Sequence, residues 1–459
     1  MTWIPNIRAV EGPRYLAIAN AIAADVEAGR LSVGQQLPTQ RALARRLNVD
    51  FTTVARGYVE AQRRGLIESH VGRGTFVSDA NAPAPVIGPA HPERVDRTMN
   101  LPPEPDAPEL IAGMQAGIRE VSKDLVSLLR YQKLGGSEAD KEAATSWLGR
   151  RALVPKHERL FVSPGAHPAL MAIFGALARP GDVVLSEAIT YPGARALAAQ
   201  LGLNLVGVAM DGDGIDPDAL ARLCAALAPK FLYLNPTLHN PTTLTVPVER
   251  RAAIARVARR HGLPIVEDDA YGFIPQHGPQ PFAALAPDLT WHIAGLAKCI
   301  GAGLRAAYVV APDAKSSWPV LAALKTVTVM ASPLTSAIAT RWIEDGTADA
   351  VLRFIRAETA ARQTLAASIL PRGSYRSDPL SFNIWLTLPR PWTRASFIGQ
   401  MRARPIGIVA SDAFAVEGEP AEAVRVCLGG PIPRESLREC LELMRHVMES
   451  SPALDPGQF

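Results

Sequence analysis

The sequence predicts an α/β main domain with a mainly parallel sheet and helices on both faces, preceded by a small helical module and followed by an α+β subdomain. Three observations lead to this prediction. Short β-branched runs alternate with helical stretches over most of the chain, as in parallel sheets. A Pro- and Ala-rich stretch, "SDANAPAPVIGPAHPERVDRT", interrupts the sequence between Ser78 and Thr98. From about Ser332 onward, long helical patterns with few strands replace the alternation.

The predicted strands of the main domain are short apolar runs bounded by polar or turn-forming residues. They read "RLFVS", "DVVLSE", "LVGVAM", "KFLYLN", "PIVED", "WHIAG" and "AAYVVAP". The proline-rich stretch predicts a linker, because proline removes hydrogen-bond donors and favours extended backbone. We therefore divide the chain into a first domain (1–78), a linker (79–98), a large domain (99–331) and a small C-terminal subdomain (332–459).

The composition is ordinary for a globular protein and excludes several other classes. The 459 residues are 48% apolar and 20% charged, and no apolar run is long enough to cross a bilayer. The N-terminus lacks the basic start and apolar core of a signal peptide. The four cysteines form no C-x-x-C and no zinc spacing. We expect reduced thiols, a cytoplasmic location and no bound metal.

The charge is concentrated at one end of the chain. Residues 1–78 contain ten arginines against six carboxylates, and this excess equals the net charge of +4 of the whole chain. A basic first domain joined to a neutral remainder indicates that the first domain meets a polyanion. A solvated helical surface is the alternative, and charge alone does not separate the two.

The segment "LPTQRALARRLNVDFTTVARGYVEAQRRGLIESHVGRGTFV" (37–77) predicts two short helices joined by a tight turn. Thr39 is placed to cap the first helix. In the second helix, Val54, Tyr58 and Val59 are expected on the buried side, with the hydroxyls and arginine of the first turns outside. A strand, a Gly-Arg-Gly turn and another strand follow. This layout is typical of a winged helix-turn-helix.

The same segment resembles the DNA-binding domain of GntR-type transcription regulators, in the ordered elements "LPTQRALA", "TV", "GLI" and "GRGTFV". The resemblance implies DNA contacts by a set of hydroxyl and arginine side chains: Thr39, Arg41, Thr52, Thr53, Arg56 and Arg73. Asp50-Phe51 departs from the family, which more often has Ser-Arg there, so we expect one contact to be lost. A helical module without a nucleic-acid role is the alternative.

In the second domain, one lysine stands out within "AGLAKCIGAGLRAAYVV" (294–310). Lys298 lies among apolar and glycine residues, between two predicted strands. Burial of an amine lowers its pKa, which is what a lysine that forms a Schiff base requires. The alternative is a surface lysine at a loop tip.

"PIVEDDAYGF" (264–273) places carboxylates at the end of a predicted strand, where ligands bind in open α/β sheets. With Lys298 it resembles the D-x-A-Y signature of fold-type I pyridoxal 5'-phosphate (PLP) enzymes, the aspartate aminotransferase superfamily. The resemblance implies that Asp268 contacts the pyridine nitrogen and Tyr271 the phenolic oxygen of PLP. Asp269 is the competing choice for the nitrogen, and the register favours Asp268.

Further stretches resemble the same superfamily in chain order: "LRYQKLGG", "SPGAHPAL", "ITYPGA", "LHNPTT", "KCIGAGLR" and "AVRVCLG". They imply that the phosphate of PLP is bound by a loop at Gly165, Ala166 and His167 and by Arg305. Tyr191 would stack on the ring of PLP, and Asn240 would be a second contact of its phenolic oxygen. Arg425 would bind the carboxylate of a substrate, and Tyr131 would reach the phosphate in the partner subunit.

Four positions depart from that pattern. Gly295 and Ala297 stand where the superfamily has hydroxyl residues that bond the phosphate, His167 replaces a glutamine, and Thr243 replaces a glycine. The loss of two neutral hydrogen bonds costs roughly 1–3 kcal/mol of cofactor affinity. We expect PLP binding to be weakened but retained.

Together, the winged helix, the linker and the aminotransferase-like domain resemble the MocR subgroup of GntR-family regulators. The resemblance implies a domain-swapped, head-to-tail homodimer on an operator in double-stranded DNA, with an amine or amino acid as effector. That ligand would displace Lys298 from PLP while Arg425 holds its carboxylate. Two alternatives stay open: an active PLP-dependent aminotransferase with an accessory DNA-binding head, and a regulator that senses PLP itself.

Overall fold

The computed structural model describes residues 3–5, 13–70, 74–78 and 96–450. Contacts divide the chain into two compact units, Met1–Arg94 and Val95–Phe459, which are described separately below. Residues 96–98, which the sequence analysis assigns to the linker, lie in the second unit, and the remainder of that linker is outside the described residues.

In the first unit, the described residues form three helices and an antiparallel pair of strands. These are α1 (Arg14–Glu27), α2 (Gln40–Leu47), α3 (Phe51–Arg63), β1 (Ile67–His70) and β2 (Gly74–Val77). Thr39 caps α2 as predicted, since its hydroxyl accepts a hydrogen bond from the Ala42 amide at 3.3 Å. Asp50 caps α3 by accepting a bond from the Thr52 amide at 2.7 Å.

A small apolar core holds these elements together, and one predicted core residue is not part of it. Val54 and Tyr58 are buried on α3, where they pack with Ile18 of α1. Val59, expected on the same side, is 65% exposed, so that prediction was wrong. Val54 and Tyr58 are four residues apart and share a helix face, whereas a residue five positions from Val54 lies about 140° around the helix.

The second unit is built on a large sheet, whose strands correspond to the seven predicted runs. They are β3 (Leu160–Ser163), β4 (Val183–Glu187), β5 (Asn204–Val208), β8 (Leu232–Leu234), β9 (Ile265–Asp268), β10 (Thr290–Gly295) and β11 (Ala307–Val310). A short hairpin, β6 (Met210–Asp211) and β7 (Gly214–Ile215), is separate. The sheet order is β3-β11-β10-β9-β8-β4-β5. β11 runs antiparallel to both neighbours and the other pairs are parallel, which confirms the predicted, mainly parallel sheet.

Helices cover this sheet on both faces. They are α4 (Pro108–Ser122), α5 (Leu125–Leu128), α6 (Glu138–Gly149), α7 (Ala166–Leu177), α8 (Pro192–Gln200), α9 (Pro217–Leu227), α10 (Val248–His261), α11 (Phe282–Leu285) and α12 (Ala314–Thr328). Ile265 and Val266 are neighbours on β9, yet they belong to different apolar clusters. Successive side chains of a strand point to opposite faces, so both faces of the sheet are buried, as a parallel sheet requires.

The C-terminal part is a smaller layer of helices and antiparallel strands. Its elements are α13 (Pro333–Glu344), α14 (Thr347–Ile369), β12 (Tyr375–Arg376), β13 (Asn383–Thr387), α15 (Arg394–Met401), β14 (Gly407–Ala410), β15 (Ala423–Cys427) and α16 (Arg434–Glu449). The strand order is β12-β13-β15-β14. The predicted boundary between residues 331 and 332 stays a prediction. Trp342 of α13 and Ile355 of α14 pack in the core of the larger layer, and the C-terminal core starts at Ala366.

The parallel strands bring their carboxyl ends to one edge of the sheet. Asp268 ends β9, Gly295 ends β10 three residues before Lys298, and Glu187 ends β4. In the register, Asp268 lies beside Ile293 on the adjacent strand. This edge is therefore where residues that are distant in sequence meet.

Among the helices that the structure describes, none combines the length and the apolar character that a membrane span requires.

Candidate functional site

Lys298 ends a short 3₁₀ turn, Leu296–Lys298, directly after β10. Its side chain is partly buried, and Nζ donates a hydrogen bond to the backbone carbonyl of Asn100. Burial lowers the pKa of the Lys298 amine to about 8, and the guanidinium groups of Arg425 and Arg305 act in the same direction. The neutral, nucleophilic fraction of the amine near neutral pH is therefore larger than that of an ordinary exposed lysine.

The two adjacent carboxylates at the end of β9, Asp268 and Asp269, have different surroundings, because successive side chains leave a strand on opposite faces. Asp268 Oδ2 accepts a hydrogen bond from the Tyr233 hydroxyl at 2.9 Å, and burial raises the pKa of Asp268 to about 6. No cation of the described residues forms an ion pair with Asp268, and its Oδ1 has no hydrogen-bond partner there. Asp269 is paired with Arg151, whose Nε is 3.4 Å from Oδ2. This leaves Asp268 as the carboxylate that can hold a ring nitrogen.

The Tyr271 hydroxyl lies in a buried chain of polar groups that the sequence analysis did not find. Its oxygen accepts a hydrogen bond from Asn100 Nδ2 at 3.0 Å, and the same nitrogen donates to Asn383 Oδ1 at 2.9 Å. The Tyr271 oxygen is the acceptor in this bond, so its own O–H can donate to a ligand. Asn383 in turn donates from Nδ2 to the Pro241 carbonyl at 2.8 Å.

The predicted phosphate loop lies at the N-terminus of α7, where helix amides attract anions. Gly165 precedes α7 with φ of +104°, a conformation that favours glycine. A Cβ at Gly165 would lie 3.0 Å from Arg305 Nη2, so the missing side chain lets the guanidinium approach the loop. Burial, and then the charge of Arg305, lower the pKa of His167. His167 is therefore neutral near neutral pH and brings no charge to this loop.

Tyr191 directly precedes α8, and its ring lies close to Gly193 of that helix. A Cβ at Gly193 would lie 2.3 Å from Tyr191 Cε1, so only glycine leaves room for the ring in this position. The ring centroid is 6.4 Å from that of His167, in an edge-on arrangement. Gly193 thus sets the place of the predicted stacking ring beside the phosphate loop.

Arg425, on β15, is a buried guanidinium that contacts neutral groups. Nη1 donates to Asn240 Oδ1 at 3.1 Å, and Nη2 donates to the backbone carbonyl of Thr98. Nε has no partner among the described residues, and the guanidinium carbon lies 5.3 Å from the ring centroid of Phe414. Burial lowers the pKa of Arg425, since the charge is poorly compensated. A ligand carboxylate would compensate it with bidentate hydrogen bonds.

We call residues 97–101 the strap, because this segment crosses the site and bonds both of its key cations. The Thr98 carbonyl accepts from Arg425, and the Asn100 carbonyl accepts from Lys298. A Cβ at Gly429 would lie only 1.8 Å from the Leu101 carbonyl oxygen, so that glycine makes room for the strap. No motif marked the strap in the sequence. The available signal was a polar residue, Asn100, just after the predicted linker.

Of the two positions that lack phosphate hydroxyls, Gly295 has space for a Cβ. Gly295 has φ of −74°, and a Cβ there would be 3.7 Å from Ala166 Cβ, an ordinary contact. Space therefore does not explain the glycine. The other predicted site residues fit PLP. Lys298 provides an amine with a lowered pKa, Asp268 a carboxylate oxygen without a partner, and Arg305 a guanidinium beside the N-terminus of α7.

The residues predicted to contact DNA all belong to the first unit. Thr39, Arg41, Thr52 and Arg56 are exposed, and Thr53 is partly buried; Arg73 is outside the described residues. Two of these side chains already have contacts. The Thr52 hydroxyl donates to Asp50 Oδ1 at 2.5 Å, and the Arg56 guanidinium carbon lies 4.4 Å from the ring centroid of Tyr15. Their roles in DNA binding stay predictions.

Tyr131, predicted to reach a partner subunit, is 87% exposed in the single chain. The adjacent α5 region also exposes Val126 and Leu129, at 72% and 71%. Such a set of exposed apolar side chains is typical of a protein–protein interface.

Two family models match the chain. Residues 100–370 match aminotransferase class I and II, and residues 14–77 match the bacterial regulatory proteins of the gntR family. The HTH-type transcriptional regulator YdeF of Bacillus subtilis is 28% identical over 98% of this chain and 97% of its own length. The vitamin B6 salvage pathway transcriptional repressor PtsJ of Salmonella typhimurium is 26% identical over 83% of this chain and 86% of its own length.

Among solved structures, an archaeal alanine:glyoxylate aminotransferase aligns with a TM-score of 0.69 at 23% identity, covering 77% of this chain and 90% of its own. The α-aminoadipate aminotransferase LysN of Thermus thermophilus, complexed with N-(5'-phosphopyridoxyl)-L-leucine, also aligns with a TM-score of 0.69. It is 21% identical, and the alignment covers 77% of this chain and 91% of its own. At these identities the likeness shows a shared fold, that of PLP-dependent aminotransferases.

Proposed function

Because the chain belongs to the aminotransferase class I and II family and carries a GntR-type DNA-binding domain, we propose that it is a PLP-dependent transcription regulator of the MocR type. The aminotransferase-like domain senses an amine or amino acid, or PLP itself, at Lys298. The observation that carries this proposal is the strap, whose carbonyls bond Lys298 and Arg425 and whose chain continues into residues 79–95 and the DNA-binding domain.

PLP would be held by residues that meet at the carboxyl edge of the sheet. Asp268 would hold the ring nitrogen, Tyr271 and Asn240 the phenolic oxygen, Arg305 the phosphate, with the phosphate loop of α7, and Tyr191 would lie over the ring. When bound, PLP supplies an aldehyde carbon that forms a covalent bond with primary amines. Lys298 contributes the neutral amine, since burial lowers its pKa to about 8.

A carboxylate effector would act through Arg425. Its oxygens would compete with the Thr98 carbonyl, because a carboxylate that pairs with the free Nε in a bidentate manner also takes Nη2, the donor that Thr98 uses. A charged acceptor gives the stronger bond, so the effector favours an arrangement in which the strap has left Arg425. Since the effector binds this arrangement and the one that keeps the Thr98–Arg425 bond with different free energy, the site can bias the DNA-binding domain through the linker.

The DNA-binding form would be a domain-swapped homodimer, in which two winged helices contact successive half-sites. One small module covers too few base pairs for specific affinity, which is why a dimer is needed. The exposed Tyr131 and the apolar residues of the α5 region support a partner subunit on that side.

Two other functions have specific support. Lys298, Asp268 and Arg425 would permit an active aminotransferase, which would turn over an amino acid with a keto-acid acceptor. A sensor of PLP itself is favoured by the name of the relative PtsJ, a repressor of vitamin B6 salvage, and by the missing hydroxyls at Gly295 and Ala297, which favour reversible binding.

The proposal is tested by titrating the full-length protein with PLP and recording the visible absorbance. We expect a visible band in the wild type that is lost in Lys298→Ala and kept in Lys315→Ala, which removes an exposed lysine of α12. Amino acids that shift the band are then tested for their effect on operator binding by gel retardation. A wild type without a visible band at saturating PLP would contradict the proposal, as would keto-acid turnover with no effect on DNA binding.

A further inference from the structure

A cavity of about 410 Å³ opens on the Asp269 side of β9, away from the contacts of Lys298. It is lined by the C-terminal end of α6, by the loop that follows β9 and by one face of α14. Arg150, Arg151 and Arg356 contribute its guanidinium groups. Phe273, Pro275 and Leu352 form an apolar wall.

The positive charge of this cavity is not fully matched by the carboxylates that contact it. Arg150 donates from both terminal nitrogens to the Asp349 carboxylate. Arg356 donates from Nε and Nη2 to the backbone carbonyls of Ile274 and Phe273, each at 2.7 Å. Those carbonyls are neutral, so neither of these two bonds pairs Arg356 with a negative charge.

Arg151 adds a donor with no acceptor. Its side chain is only 5% exposed, and its Nε lies 3.4 Å from Asp269 Oδ2. Nη2 is buried without a hydrogen-bond partner among the described residues. A buried guanidinium N–H without an acceptor is unfavourable, and a bound oxyanion removes that cost. A Cβ at Gly278 would lie 3.1 Å from Arg151 Nη1, so this glycine keeps the space beside the guanidinium open.

We propose that this cavity is a second binding site, for an organic anion that carries a carboxylate or a phosphate monoester on a small apolar body. Guanidinium groups bind both oxyanions through paired N–H donors. The apolar wall accepts the body of the ligand, as in most small-molecule sites. The site is independent of the PLP proposal, because its arginines are not those that would hold the cofactor or its substrate.

The site would also connect two parts of the fold. Arg151 follows α6 in the larger layer, whereas Arg356 is on α14, which continues into the C-terminal core at Ala366. An anion bound by both arginines therefore ties α6 to α14. Arg151 also pairs with Asp269, the neighbour of Asp268, which places the anion close to the chain segment of the cofactor site.

The test is isothermal titration calorimetry of the full-length protein, saturated with PLP so that the phosphate loop of α7 is filled. The probes are phenyl phosphate, benzoate and inorganic phosphate. Gln276→Glu places a carboxylate in the exposed lining of the cavity, and Gln280→Glu places the same charge on the same loop outside the lining. Arg150→Gln removes one lining charge.

We expect saturable binding of phenyl phosphate or benzoate with one site per chain. The dissociation constant should rise about tenfold in Gln276→Glu and in Arg150→Gln, and stay unchanged in Gln280→Glu. Preference for phenyl phosphate would identify a phosphate monoester, and preference for benzoate a carboxylate. The proposal is overturned if no probe binds saturably or if Gln276→Glu binds like the wild type. If inorganic phosphate binds as tightly as phenyl phosphate, the proposal that the ligand has an apolar body is wrong.

Discussion

The amine of Lys298 has two kinds of neighbour that disfavour its charged form: apolar surroundings and the guanidinium groups of Arg425 and Arg305. Both effects lower its pKa, to about 8, and only the neutral amine reacts with an aldehyde. The neutral fraction therefore rises as the pH increases through about 8.

We accordingly expect the rate at which PLP develops its visible band to increase with pH, with a midpoint at about 8. Stopped-flow absorbance over a pH series measures this rate, and Lys298→Ala gives the background. A rate that increases only near the ordinary lysine pKa of about 10.4 would contradict this environment of Lys298.

A second prediction restores the missing hydroxyl groups at the proposed phosphate site. Gly295→Ser combined with Ala297→Ser restores two hydroxyl donors, and the Gly295 position has extended backbone and space for a Cβ. We expect the dissociation constant for PLP to fall about tenfold, or about 1.4 kcal/mol.

Equilibrium dialysis measures this change. The matched control is Gly295→Ala in the wild-type background, which adds the Cβ without a hydroxyl. If the control tightens PLP binding as much as the double serine variant does, the hydroxyls are not responsible.

At the scale of elements, the strap depends on two glycines that leave space for its backbone. A Cβ at Gly407 would lie 2.1 Å from the Arg97 carbonyl oxygen, and one at Gly429 would lie 1.8 Å from that of Leu101. Neither glycine has a positive φ, so the requirement is for space and not for an unusual backbone.

Gly429→Ala should therefore displace the strap. We expect the free energy of unfolding to fall by about 1–3 kcal/mol and the amides of residues 97–101 to exchange faster with solvent. Gly399→Ala on α15 is the control, because a Cβ there meets no atom within 4 Å. Chemical denaturation and hydrogen-exchange mass spectrometry give the two readouts. Unchanged exchange of the strap in Gly429→Ala would contradict the close packing.

For the whole molecule, the exposed apolar residues near α5 predict a dimer. Val126 is 72% exposed, and a charge at a buried interface is strongly unfavourable. Val126→Asp should give a monomer with weakened operator binding, whereas Val248→Asp, at a 50% exposed position of α10, should stay dimeric.

Sedimentation velocity distinguishes these outcomes, and gel retardation reports DNA binding. A Val126→Asp protein that remains dimeric would place the interface elsewhere on the molecule.

Local patterns in the sequence were sufficient for much of this protein. The strands of the large sheet and the Thr39 cap follow from short-range periodicity and helix-capping chemistry. The different surroundings of Asp268 and Asp269 follow from the alternation of side chains along a strand. The same reasoning failed at Val59, where helical spacing places the side chain in solvent.

The sequence by itself thus determined the fold class, the basic first domain and the residue types of the proposed PLP site. Only the tertiary structure decided that Asn100 and Thr98 bond Lys298 and Arg425, which are 198 and 327 positions away along the chain. These bonds use backbone carbonyls, which every residue carries and no motif marks. The same holds for the arginine-lined cavity, because tertiary contacts, not spacing along the chain, bring Arg151 and Arg356 to one cavity.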